Sequence, residues 1–293
     1  MTKRLNYMLD ESHLSILAQG TQQGHAVLDQ AAATYKQILG KRLVAAYALG
    51  SLAHGGFSPL VSDVDLALIL ADPLRPSYSV TVAAVAWGLK AKGSALHERL
   101  SVFWGTPSSL AGRVPGGRFP PLDRLDLLEH GCLLRGEDAR SGLVPPGRDE
   151  LIVAGALFAL EYLAGVVVGS PHERPGLALG SLQRAWDVRR LTKLALFPVR
   201  FLFTAETGRG GTNAAAVAHY LAADAPPGAA LVATALAWRT VPPENNETVL
   251  SLLEAEIVPL YLHYIDNQRA LLAALGRYDL AEAFGQWRRR LLQ

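Results

Sequence analysis

An apolar run, Leu43 to Leu49, ends abruptly at Gly50-Ser51 and is followed by Asp63-Val64-Asp65 at the head of a second apolar run. No other feature of the chain constrains it as much. The first run predicts a buried strand that delivers a tight turn into a short helix. Gly50 has no Cβ, so an anion can approach the main chain closely there, and the Ser51 hydroxyl can donate one more hydrogen bond. In the second run, Asp63 to Leu70, side chains two apart share a face. Asp63 and Asp65 therefore point one way, and Val64, Leu66 and Leu68 point into the core.

Adjacent carboxylates on a rigid strand repel each other unless a cation lies between them. Mg²⁺ is commonly held by one or two carboxylates plus the phosphates of its partner, so this order of elements suits a metal-bound nucleoside triphosphate. Eleven residues, including Gly55-Gly56, separate Ser51 from Asp63.

The segment from Ala48 to Leu66 resembles the DNA polymerase β-like nucleotidyltransferases. In detail it is similar to the aminoglycoside adenylyltransferases that act on streptomycin and spectinomycin. The resemblance implies that Gly50 and Ser51 hold the triphosphate and that Asp63 and Asp65 bind Mg²⁺ as the catalytic pair. It also implies that Ser62 touches the nucleotide, and that an acceptor hydroxyl attacks the α-phosphate in line. The expected cofactors are Mg²⁺ and a nucleoside triphosphate, ATP first among them, with a small-molecule acceptor. The string Arg200 to Gly208 is similar to the segment where these enzymes place an arginine on the nucleotide, which assigns that role to Arg200.

Two positions depart from the pattern. Where the family has a lysine for the triphosphate, this chain has Asn213, with Arg209 near it in sequence. The family's third carboxylate, a metal ligand and general base on the next strand, corresponds to Ser101. Serine is a poor base at neutral pH. Three accounts stay open: another acid (Glu98, Asp123 or Asp126) reaches the site, water accepts the proton, or the protein is a nucleotide-binding or antitoxin-like module without turnover.

Composition excludes less. Half the residues are hydrophobic and 18% are charged, so a large core is available. A net charge of +2 announces no nucleic-acid partner. Cys132 is the single cysteine, which rules out an internal disulfide, and it is expected on a short buried strand. The N-terminal residues lack the apolar core of a signal peptide, so the cytoplasm is the expected location. The apolar stretch Leu151 to Gly169 approaches membrane-spanning length, but Glu161 in its middle favours a buried bundle helix, and no membrane partner is expected.

The expected class is α+β: a nucleotidyltransferase domain over residues 1–147, with helices on a small mixed sheet, then an all-α bundle over 148–293. In the first half, residues 12–39 read as a helix with a broken period, weakened at Gly20 and Gly24. Ser79 to Glu98 reads as one alanine-rich helix and Leu100 to Trp104 as a strand. A loop at 111–121, a helix at Leu122 to His130 and a strand at Cys132 to Leu134 follow. The Gly- and Pro-broken stretch Arg135 to Arg148 marks the linker. Helices are expected at 150–168, 177–207, 212–223, 228–239, 245–275 and 279–291, with Pro198 and Pro259 breaking or kinking two of them. Arg184, Arg189, Arg190, Lys193, Arg200 and Arg209 read either as a basic strip better suited to phosphates than to amines or as a solvated helix face. The sequence carries no signal for oligomeric state.

Overall fold

A computed structural model describes residues 11–166, 168, 187–243 and 246–293. The chain divides into two compact units, Met1–Pro146 and Gly147–Gln293.

In the first unit a long helix α1 (Glu11–Leu39) precedes strand β1 (Leu43–Leu49), the short helix α2 (Gly50–His54) and strand β2 (Val64–Leu70). Helices α3 (Pro76–Lys92) and α4 (Ala95–Glu98) lead to β3 (Leu100–Gly105), and α5 (Pro107–Leu110) and α6 (Pro121–His130) lead to β4 (Cys132–Gly136). The sheet has the order β3-β2-β1-β4, with β1 antiparallel to both neighbours and β2 parallel to β3. It is the small mixed sheet the sequence predicts.

Both faces of this sheet are covered. On one face Val64, Leu66, Leu68 and Leu70 pack against Leu28, Ala31 and Tyr35 of α1 and Tyr78, Val82 and Val85 of α3. On the other, Tyr47, Leu49, Ala67 and Ile69 meet Phe103, Leu110 and Leu127. A strand buried on both faces reads as a continuous apolar run, which is why Leu43 to Leu49 shows no alternation. Tyr47 ties down the segment after β4. Its hydroxyl donates to Asp138 Oδ1 at 2.9 Å and accepts from the Ala139 amide at 2.6 Å. Arg140 grips the Asp138 carboxylate through Nε and Nη2 and holds it well below the usual carboxylate range.

Four local expectations are corrected. The helix through Gly20 and Gly24 is continuous, because its glycines are packing positions. A Cβ on Gly20 would run into the Pro59 ring, and one on Gly24 would stand 3.0 Å from Leu52 Cδ2 and 3.1 Å from Phe57 Cζ. The single helix expected at Ser79 to Glu98 is two, split at Gly93-Ser94, where Ser94 and His97 cap the second. Strand β4 is an exposed edge with Cys132 at the surface, since it pairs only through β1. Asp63 falls one residue before β2, whose first residue, Val64, pairs with Leu100 of β3 and donates its amide to the Arg99 carbonyl just before that strand.

The Gly20 packing gives a direct stability test. Gly20→Val is expected to lose about 1–3 kcal/mol in urea unfolding by overpacking against Pro59, despite a better helix former. Gly88→Ala on α3, where an added Cβ meets nothing within 4 Å, is expected to gain up to about 1 kcal/mol.

In the second unit the described elements are helical. They are α7 (Arg148–Ala159), which runs into a π-helical turn at Leu160–Ala164, then α8 (Val188–Thr207), α9 (Asn213–Leu221), α10 (Ala229–Ala237), α11 (Asn246–Ala274) and α12 (Tyr278–Leu291). Arg184 and the expected helix start at 177 lie outside the described residues. Pro198 and Pro259 each lie inside a continuous helix. The core joins Ile152, Ala156 and Leu160 to Leu194, Val199 and Leu202, and to Val249, Leu253, Ile257 and Tyr264.

The apolar stretch from Leu151 is thus a bundle helix, closed at Gly165 in the left-handed conformation. Among the described residues, the helix long and apolar enough to cross a membrane by length and composition is α11. It contributes Val249, Leu253, Ile257, Leu260, Tyr264 and Ile265 to the bundle core.

Candidate active site

The predicted residues of the first unit gather at one end of the sheet, where β1 ends and β2 and β3 begin. Leu49 pairs with Asp65, and Asp65 pairs with Ser101. The half-buried Asp65 belongs to the sheet face that also carries Ala67, Ile69 and Phe103. Asp63 is half-buried just before the strand.

Gly50 has φ +61°, a left-handed conformation that side chains with a Cβ adopt at a cost. A Cβ built on it would stand 2.5 Å from Asp65 Oδ2. The turn and the carboxylate are therefore pressed together, with only a hydrogen atom's room between backbone and oxygen. Ser51 follows, half-buried, as the second residue of α2.

The loop between the two halves of the motif is built rather than slack. Ser62 is buried and its Oγ accepts from the Ser58 amide at 3.0 Å, while its own amide donates to the Ser58 carbonyl at 2.9 Å. Arg99 Nη1 donates to the Pro59 carbonyl at 2.7 Å, and Phe57 and Pro59 seat on the α1 glycines. These contacts fix where the chain re-enters as Asp63. His54 meets His130 edge to face, with ring centroids 5.4 Å apart.

Of the acids considered for the third carboxylate, one stands at the turn. Asp126 on α6 accepts from the Gly50 amide through Oδ2 at 2.6 Å. Asp123 is half-buried one turn earlier on the same helix. Glu98 is exposed at the end of α4, whose Leu96 belongs to the core of the opposite sheet face. No property of the sequence singles Asp126 out from an ordinary solvated acid on a short amphipathic helix; the packing of α6 on β1 and α2 does.

Among the described residues no group of three or more His, Cys, Asp or Glu side chains is arranged to hold a metal ion. A paired-carboxylate site for Mg²⁺ needs no such cage, because phosphates and water complete its octahedron. Asp63 and Asp65 suit that role, with the Gly50 backbone directly beside Asp65.

Arg200 is half-buried on α8 of the second unit. It shares that helix with Arg189, Arg190 and Lys193, whose ammonium lies 5.9 Å from the centre of the Phe197 ring. Phe197 and Phe201 pack against Phe158, and Tyr162 stacks on Phe158. Arg209 is exposed, and Asn213 opens α9.

A small mixed sheet with helices, followed by a helical region, is consistent with a nucleotidyltransferase-like fold. In particular, the chain is similar to the crystal structure of spectinomycin adenyltransferase AAD(9) from Enterococcus faecialis with ATP and spectinomycin, at a TM-score of 0.53 and 14% identity, over 82% of this chain and 98% of that one. No protein-family model matches the sequence. No curated protein matches it either.

Proposed function

We propose that this protein transfers a nucleoside monophosphate from a Mg²⁺-bound nucleoside triphosphate, ATP first among the choices, to a hydroxyl of a small-molecule acceptor. The observation that carries this reading is the pressing of Asp65 against the left-handed Gly50 turn, with Asp63 beside it. A carboxylate so close to a backbone shaped for anions is useful when a cation joins the two. The likeness of the fold to an adenyltransferase solved with ATP supports the same choice.

In this reading the Gly50 amide and the Ser51 hydroxyl donate to phosphate oxygens, and Ser62 holds the loop that aims Asp63. Arg200 keeps, within this proposal, the nucleotide role that the resemblance assigns to it. Bound through Asp63 and Asp65, Mg²⁺ would offset phosphate charge and favour attack at the α-phosphorus. Aminoglycosides are polycations, and the basic face of α8 suits anions better. An acceptor of lower positive charge, handled in the cytoplasm without membrane or nucleic acid, is the form proposed.

A second reading, a nucleotide-binding or antitoxin-like module without turnover, is favoured by one observation: the strand residue paired with Asp65 is the uncharged Ser101. One experiment separates the two. The purified protein is incubated with Mg²⁺ and α-labelled ATP, GTP, CTP or UTP in the presence of a panel of hydroxyl acceptors. Covalent label on an acceptor, lost in EDTA, is expected. Tight nucleotide binding with no label on any acceptor supports the module.

A further inference from the structure

We propose that Asp126 is the third acidic group of this site, supplied from helix α6 in place of strand β3, and that in the empty protein it rests on the amide the triphosphate must take. The proposal rests on the phosphate-and-metal reading above.

Two carboxylates converge on one residue. Asp126 Oδ2 accepts from the Gly50 amide at 2.6 Å, a short bond strengthened by the acceptor's charge. Asp65 Oδ2 lies 2.5 Å from the position a Gly50 Cβ would occupy. The placement of Asp126 is fixed by its neighbours. Leu125 and Leu127 are buried on either side of it, and Leu127 belongs to the core beneath the sheet. On β3 the residue in register with Asp65 is Ser101, which brings no charge.

The Gly50 N–H points at one acceptor. A phosphate oxygen that takes this N–H displaces the Asp126 carboxylate, since two anions at one donor repel. The displaced carboxylate is then released beside Asp65, where the cation arriving with the triphosphate offsets their repulsion. There it can accept the proton of the attacking hydroxyl. The hydroxyl oxygen bonds to the α-phosphorus, the bond from that phosphorus to the bridging oxygen breaks, and pyrophosphate leaves with the electron pair. The arrangement couples arrival of nucleotide to release of the proton acceptor.

The test is calorimetric titration of ATP into wild type, Asp126→Ala and Asp126→Asn, first in EDTA and then in Mg²⁺. In EDTA, Asp126→Ala is expected to bind ATP about ten- to a hundredfold more tightly, because the resident acceptor is gone. The further gain on adding Mg²⁺ is expected to shrink by at least about tenfold, as for loss of a group that supports the metal. Asp126→Asn keeps an acceptor for Gly50 without the charge, so it should lose the Mg²⁺ gain with a smaller rise in EDTA affinity. It also serves if the alanine variant does not fold. A residue with a merely structural role would not move the two affinities in opposite directions. EDTA affinity equal to or weaker than wild type, or an intact Mg²⁺ gain, overturns the proposal. If wild type itself binds no ATP in either buffer, the underlying phosphate-and-metal reading is what fails.

Discussion

Asp65→Asn is expected to abolish Mg²⁺-dependent nucleotide binding and transfer while leaving the fold intact. Asp65 is held by strand pairing between Leu49 and Ser101, and one of its oxygens abuts Gly50. Asparagine has nearly the same shape, so the strand and the turn should stay in place. What is lost is the charge. Removing a group that only supports a metal ligand costs about 10–100-fold in affinity, so removing a ligand should cost more than about a hundredfold. Asp63→Asn is expected to behave alike. Because the pair repels itself without a cation, thermal stability of the metal-free variants should hold or rise slightly. A loss of stability together with a loss of binding would instead mean that the carboxylates organise the loop.

Gly50→Ala is expected to damage both the turn and nucleotide binding. The left-handed conformation alone costs a residue with a Cβ about 1–2 kcal/mol. The added methyl would also stand 2.5 Å from Asp65 Oδ2, so either that carboxylate or the turn must move. Nucleotide binding should fall with it. Gly55→Ala is the matched control: Gly55 has φ +87°, but a Cβ there meets nothing within 4 Å. It should cost stability of the same order and keep nucleotide binding. Urea unfolding and ATP titration of the two variants check both halves of this expectation. Equal binding losses in the two would show that strain, and not contact with Asp65, is what matters.

How much of this was legible in the sequence depends on the kind of interaction. The strand, turn and acidic pair could be read because they are local: an apolar run, a glycine and a two-residue period. The bundle could be read for the same reason, as Val249, Leu253 and Ile257 show on α11. Features that depend on a distant partner could not. Gly20 and Gly24 look like helix weak points until Pro59, Leu52 and Phe57 are seen against them. Cys132 reads as buried because its neighbours are leucines, yet β4 lies at an edge and Leu133 is exposed. The bond from Gly50 to Asp126 spans seventy-six positions and rests on how α6 packs, which no local pattern encodes. Ser101 was legible as a strand residue, because its neighbours form a short apolar run.

The central claim is that the Gly50 turn and the Asp63–Asp65 pair form one site for a metal-bound triphosphate. Its most direct measurement is the affinity of wild type for ATP with Mg²⁺ and with EDTA, set beside the same pair of titrations for Asp65→Asn. ATP binding that Mg²⁺ strengthens in wild type, and that Mg²⁺ leaves unchanged in Asp65→Asn, is the result this account predicts. A Mg²⁺ effect of equal size in the two proteins would contradict it.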